Sequence, residues 1–171
     1  DPMACTYHAV FLGDVTVPDN TRIAPGGSFV KTWRLRNDGD CAWGPGQYVH
    51  TLVFANGDRL GAPDEVPLLT TVPPGGIGDI SINMVAPQQP GTYRSEWMLM
   101  IAEGPLLGVG QDGQTPIYAQ IVVPSPATPT AAAGCQDSAQ YVSDDGLDGT
   151  TYASNMPFNK TWRLSNTGNC T

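Results

Sequence analysis

The sequence predicts an all-β fold, an immunoglobulin-like (Ig-like) Greek-key β-sandwich, on three observations. Short apolar runs recur along the chain, and turns rich in glycine (20 residues) and proline (16 residues) separate them. No stretch shows the 3.6-residue apolar period of a helix. A segment near the start also returns near the end, which predicts one complete module plus the N-terminal part of a second tandem copy.

Each strand is predicted from alternation between two turns. The first apolar run, 5–12, is the first strand. Residues 28–37 then alternate, with Phe29, Lys31, Trp33 and Leu35 on one face. The Trp/Leu face is predicted to be core, with Lys31 at its open end. The other predicted strands are 48–54, 66–72, 79–85, 92–102 and 116–123, with a long glycine-rich loop over 104–113.

The internal repeat sets the domain organisation. Residues 29–41 return as 158–170, a period of the size of a domain. We therefore predict a complete module over 1–123, a Pro/Thr/Ala linker over 124–134 and a partial second module over 135–171. The partial module has one strong predicted strand, 157–166, too little to bury a core of its own.

The four cysteines occupy equivalent positions in the two copies. Cys5 precedes Cys41 by 36 residues and Cys135 precedes Cys170 by 35. Of the three possible pairings, repeat symmetry favours the disulfides Cys5–Cys41 and Cys135–Cys170. The rival interpretation, zinc thiolates, is disfavoured because the chain has no CxxC or Cys/His pair. Structural disulfides favour an oxidising, extracytoplasmic location.

Composition excludes two classes of partner. The net charge is −8, with only 8 Lys and Arg residues, whereas nucleic-acid binding requires a basic face. No segment approaches the roughly 18 consecutive apolar residues of a membrane span, so membrane insertion is not expected.

Several ordered motifs resemble one known family. They are the segment from Lys31 to Trp43, the turn at 73–75, the run from Pro90 to Trp97 and the closing strand 117–123. Together they resemble the four-tryptophan Ig-like domain, known from the central domain of selective-autophagy receptors and from bacterial extracellular proteins. The resemblance covers 21–123 and recurs at 158–170. It implies a non-catalytic interaction or scaffold module.

The resemblance also assigns the signature core positions. Trp33, Trp43 and Trp97 match three of the four tryptophans, and Trp162 repeats Trp33 in the second copy. Tyr118 stands where the fourth tryptophan is expected. Trp33 and Trp97 lie on alternating apolar faces, which favours core burial over a sugar-stacking platform, whereas partial exposure of Trp43 remains open.

Candidate chemistry is sparse. No catalytic motif and no cofactor site is recognised, so we expect no enzymatic activity, and His50 is expected to be a hydrogen-bonded structural residue. The acidic cluster Asp144, Asp145 and Asp148 is a weak calcium candidate, with a solvated acidic turn as the favoured alternative. Met98 and Met100 lie opposite Trp97 and form a candidate protein interface.

These observations lead to two functional hypotheses. The first is an extracellular structural or adhesion module of a bacterial tandem-repeat surface protein, whose partners are copies of itself or neighbouring modules and which could form filaments. The second is a carbohydrate-binding accessory module of a larger secreted enzyme, with a glycan as ligand. Whether the second module is completed by its own chain or by another is left open.

Overall fold

The computed structural model describes residues 4–102, 104–126, 134 and 136–169. The chain divides into two compact units, Asp1–Pro126 and Ala127–Thr171, and each is described by itself. The secondary-structure elements of the described ranges are eleven β-strands. No helix among these residues has the length and apolar character that crossing a membrane requires.

The first unit is a two-sheet β-sandwich. Its strands are β1 (Ala9–Asp14), β2 (Thr21–Arg22), β3 (Ser28–Asn37), β4 (Val49–Gly57), β5 (Glu65–Pro67), β6 (Ile77–Val85), β7 (Gly91–Ile101), β8 (Leu106–Leu107) and β9 (Ile117–Val123). One sheet has the order β1-β3-β6 and the other has the order β2-β9-β7-β4-β5, with β8 also paired to β7. The chain belongs to the predicted fold class, an all-β Ig-like sandwich.

The core lies between the two sheets and follows from the two-residue period of a strand. In β6 the buried positions alternate strictly with exposed ones, and β9 alternates between buried and half-buried side chains. Strand β3 contributes Trp33 and Leu35 to the same cluster, and β7 contributes Trp97 and Leu99. This arrangement buries the apolar face of each sheet against the other.

Strand β3 has the predicted bounds, β2 was not predicted, and two of the predicted strands differ most from prediction. The first begins at Ala9 instead of Cys5, because the preceding segment bonds the turn after β3, with Asp40 N donating to Thr6 O at 3.1 Å. The predicted strand 66–72 is reduced to β5, because Val72 leaves that sheet edge and pairs with Trp43. The predicted loop 104–113 contains β8.

A disulfide joins Cys5 to Cys41 in the first unit, with an S–S distance of 2.00 Å. It links the segment before β1 to the turn after β3. The other predicted pair, Cys135–Cys170, lies outside the described residues.

The second unit contains one described strand pair, β10 (Ala139–Asp144) and β11 (Trp162–Asn166). The two strands are antiparallel. The predicted strand 157–166 is therefore shorter than expected and has a partner that the sequence did not reveal.

Candidate functional site

Three signature tryptophans form the centre of the first unit. Trp33, Trp43 and Trp97 are fully buried, including Trp43, for which partial exposure was open. The Trp97 ring meets Phe54 edge-on, with 5.6 Å between ring centroids. Because all three rings are enclosed, none offers a face on which a sugar could stack.

The indole of Trp33 is hydrogen-bonded to the main chain of Tyr118, which occupies the position of the fourth signature tryptophan. Trp33 Nε1 donates to the main-chain oxygen of Tyr118 at 2.7 Å, and Trp97 Nε1 donates to Ser95 Oγ at 2.9 Å. Trp43 Nε1 is buried without a partner in the described part of the chain. The Trp33 bond ties the core to β9, the strand that carries Tyr118.

The Trp33 indole has a hydrogen-bond partner, and the Trp43 indole has none among the described residues. The same substitution by phenylalanine should therefore lower the free energy of unfolding by different amounts at the two positions. We expect Trp33→Phe to destabilise the first unit by about 1–3 kcal/mol more than Trp43→Phe, because it leaves the Tyr118 carbonyl unpaired. The volume removed is the same in both variants, so Trp43→Phe is the matched control. Equal midpoints in urea unfolding would contradict the prediction.

Lys31 forms a buried ion pair on the core face of β3. Its Nζ donates to Asp14 Oδ1 at 2.6 Å and to Val17 O at 2.8 Å, and it lies 5.7 Å from the centroid of the Trp33 ring. The side chain of Lys31 is fully buried, so the expectation that it lies at an open end is wrong. A buried ammonium needs a partner, and β1 supplies it.

A shallow apolar groove opens beside this ion pair, between β1 and β9. We call it the β1–β9 groove; its lining residues are Phe11, Asp14, Asp19, Val109, Thr115, Pro116, Ile117 and Tyr118. Its volume is about 240 Å³. Ligand pockets usually measure about 300–1,000 Å³, so the groove has room for one or two amino-acid side chains instead of a cofactor.

Tyr118 is held in a fixed position on the wall of the groove. Its hydroxyl donates to Asp19 Oδ2 at 2.8 Å, and the Arg94 guanidinium lies 3.6 Å from the centroid of its ring. The hydrogen bond to Asp19 raises the pKa of Tyr118, and burial adds to that effect. The phenol therefore stays protonated near neutral pH and gives the groove a polar rim.

The acidic cluster proposed as a weak calcium site surrounds a lysine. Lys160 Nζ lies 2.8 Å from Asp144, 3.1 Å from Asp145 and 3.0 Å from Asp148. The hydrogen bond to Asp144 raises the pKa of Lys160, and the same bond lowers the pKa of Asp144. A calcium ion would have to displace the ammonium group from all three carboxylates.

The other candidate residues are largely occupied within their units. Met98 is only 8% exposed and Met100 is half-buried, which leaves little surface there for a partner. His50 Nδ1 contacts Gln47 O at 3.1 Å. Cys5, Asp40 and Cys41 also lie close together, but both sulfur atoms belong to the disulfide.

Residues 16–123 match the family model described as the Ig-like domain from next to BRCA1 gene. The chain belongs to this family. It is 34% identical over 98 residues to Protein ILRUN of Danio rerio, covering 57% of this chain and 33% of that protein. It is 33% identical over 115 residues to Protein NBR1 homolog of Arabidopsis thaliana, covering 63% and 16%. It is 31% identical over 98 residues to Next to BRCA1 gene 1 protein of Mus musculus, covering 57% and 10%.

The comparisons correct the predicted function and location. The matched relatives are eukaryotic proteins of the intracellular autophagy-receptor class. The prediction of an extracellular, bacterial tandem-repeat surface protein that forms filaments is therefore wrong, and so is its secreted carbohydrate-binding alternative. The error came from the cysteines, since their spacing indicates which thiols can pair but not the compartment in which the chain resides.

The sequence did not identify the residues that build the groove. Phe11 and Asp19 carry no motif, and the structure brings them to Tyr118 from β1 and from the turn before β2. Arg94 of β7 is not a lining residue but stacks on the Tyr118 ring. One available signal was Lys31 within an otherwise apolar face, because a charge at a core position implies a buried partner nearby. That signal leads to Asp14 and hence to the groove.

Proposed function

We propose that the complete module is a non-catalytic protein-binding domain that holds a partner polypeptide at the β1–β9 groove. The observation that carries the proposal is the groove itself, an apolar surface with a fixed polar rim and room for one or two side chains. Phe11 is 43% exposed beside the buried Ile117, so the groove offers apolar contact area on its open side. Membership of a receptor family supports a protein as the partner.

Charge favours a basic partner. The chain carries a net charge of −8, and Asp19 lines the groove; Asp14 lines it too, but Lys31 balances its charge. Opposite charges at an interface accelerate association and discriminate between partners. We therefore expect the bound segment to place an apolar side chain against Phe11 and Lys or Arg residues beside it. A copy of this acidic chain fits the groove less well than a basic protein does.

Peptide display tests the proposal directly. We expect panning of a random peptide library on the chain to enrich peptides with an apolar residue flanked by Lys or Arg. Phe11→Asp should weaken their binding at least about tenfold, or about 1.4 kcal/mol, because it places a charge in the apolar contact. Val30→Asp is the matched control, since Val30 is similarly exposed but lies on β3 outside the groove.

Calorimetric titration of the selected peptides measures both variants. Equal affinities for the wild-type chain and for Phe11→Asp would refute the groove as the binding surface. A loss of binding in Val30→Asp as large as that in Phe11→Asp would place the interface elsewhere on the unit.

A further inference from the structure

The strand pair of the second unit reproduces the β1–β3 pair of the first in register. Ala139 faces Asn166 as Ala9 faces Asn37, and Asp144 faces Trp162 as Asp14 faces Trp33. Each pair has one bulge at the same step, between Phe11 and Gly13 in the first unit and between Tyr141 and Ser143 in the second.

The polar contacts around the two strand pairs also correspond. Thr6 N donates to Asp40 Oδ1 at 2.7 Å, and Gln136 N donates to Asn169 Oδ1 at 2.7 Å. Lys160 Nζ donates to Asp144 at 2.8 Å, at the position where Lys31 bonds Asp14. The second unit therefore shares with the first the strand register, the bulge and the lysine–aspartate pair.

The two units differ in what covers that structure. In the first, β3 pairs with β6 from Ser28 to Arg36, and the opposite sheet buries Trp33 and Leu35. In the second, Trp162 is 60% exposed and Leu164 is 63% exposed. Within the described residues β11 pairs with β10 alone. Among the described residues, an apolar face and the edge of β11 from Trp162 to Ser165 are thus both open to further strands.

We propose that β11 binds the remaining strands of an Ig-like module of the same class, beginning with an edge strand that alternates as β6 does. In the first unit the strands that follow β3 in the chain cover both surfaces. Strand β6 pairs with the edge of β3, and β9 of the opposite sheet packs over the face that carries Trp33. A second copy of this chain, docked face to face, would cover the side chains and leave the edge of β11 unpaired. The net charge of −8 also makes two copies repel each other.

Grafting tests the proposal in the full chain. Residues 43–123 are appended after Thr171, in the place that they occupy after Ala42 in the first unit. We expect hydroxyl-radical footprinting to show at least about tenfold less oxidation of Trp162 than in the unextended chain, because burial removes the ring from solvent. Asp-N peptides resolve Trp162 from Trp33, whereas trypsin releases the same Thr-Trp-Arg peptide from both positions.

Two control chains make the outcome decisive. In the positive control, residues 4–42 replace 134–171 ahead of the graft, which duplicates the complete module and should protect both equivalent tryptophans. In the negative control, Trp162→Asp in the grafted chain should leave the appended strands open to proteolysis.

Two results would overturn the proposal. One is a grafted chain in which Trp162 stays as reactive as before while the duplicated module is protected. The other is an unextended chain that sediments as a dimer with Trp162 protected, which would make a second copy the occupant of the face.

Discussion

Asp14→Asn is expected to destabilise the first unit by about 3–5 kcal/mol, the usual cost of removing one partner of a buried ion pair. Lys31 has no solvent-exposed side-chain surface, and Asp14 is its one charged partner at hydrogen-bond distance among the described contacts. With an amide in place of the carboxylate, the ammonium group keeps only the Val17 carbonyl and the Trp33 ring. Neither group carries a compensating charge.

A surface ion pair supplies the control for this substitution. Arg34 and Asp79 are both substantially exposed, with 2.8 Å between Nη2 and Oδ2. Asp79→Asn should cost no more than about 1 kcal/mol, because water screens exposed pairs. Urea unfolding followed by tryptophan fluorescence measures both variants, since three of the four tryptophans are buried in this unit. Equal losses in the two variants would show that the burial of Lys31 has no energetic consequence.

The buried ion pair shows where prediction from sequence succeeds and where it stops. The alternation in 28–37 predicted both the bounds of β3 and the face that carries Trp33. It did not predict the partner of Lys31, because the bulge after Phe11 shifts the register so that Asp14 meets Trp33. An alternating pattern gives the side of a strand but not the register of its neighbour.

The groove shows the same limit at longer range. Phe11 lies on β1 and Tyr118 on β9, more than a hundred residues later in the chain. Turns and apolar runs predict that both strands exist, yet the two strands lie in different sheets and do not pair with each other. The meeting of their side chains depends on how the sheets pack, which a local pattern does not contain. The tryptophans were easier to place, since a large apolar side chain on an alternating face has few alternatives to burial.

The second large effect is expected at Trp97. We expect Trp97→Ala to destabilise the first unit by about 3–5 kcal/mol, as large aromatic truncations in a core do. The change removes the edge-on contact with Phe54 and opens a cavity between the sheets. It also leaves the hydroxyl of Ser95, which is itself fully buried, without its indole donor.

The same substitution at Trp162 is the matched control. Trp162 is 60% exposed and lies in the second unit, so Trp162→Ala should leave the main unfolding transition within about 0.5 kcal/mol of the wild-type value, as surface changes do. Chemical denaturation monitored by far-ultraviolet circular dichroism measures both variants without relying on the replaced fluorophore. A loss below about 1 kcal/mol for Trp97→Ala would mean that its ring is not part of a packed core. Both variants remove the same side chain, but only Trp97 is enclosed between two sheets. The difference between their unfolding free energies therefore measures what burial of the ring contributes to stability.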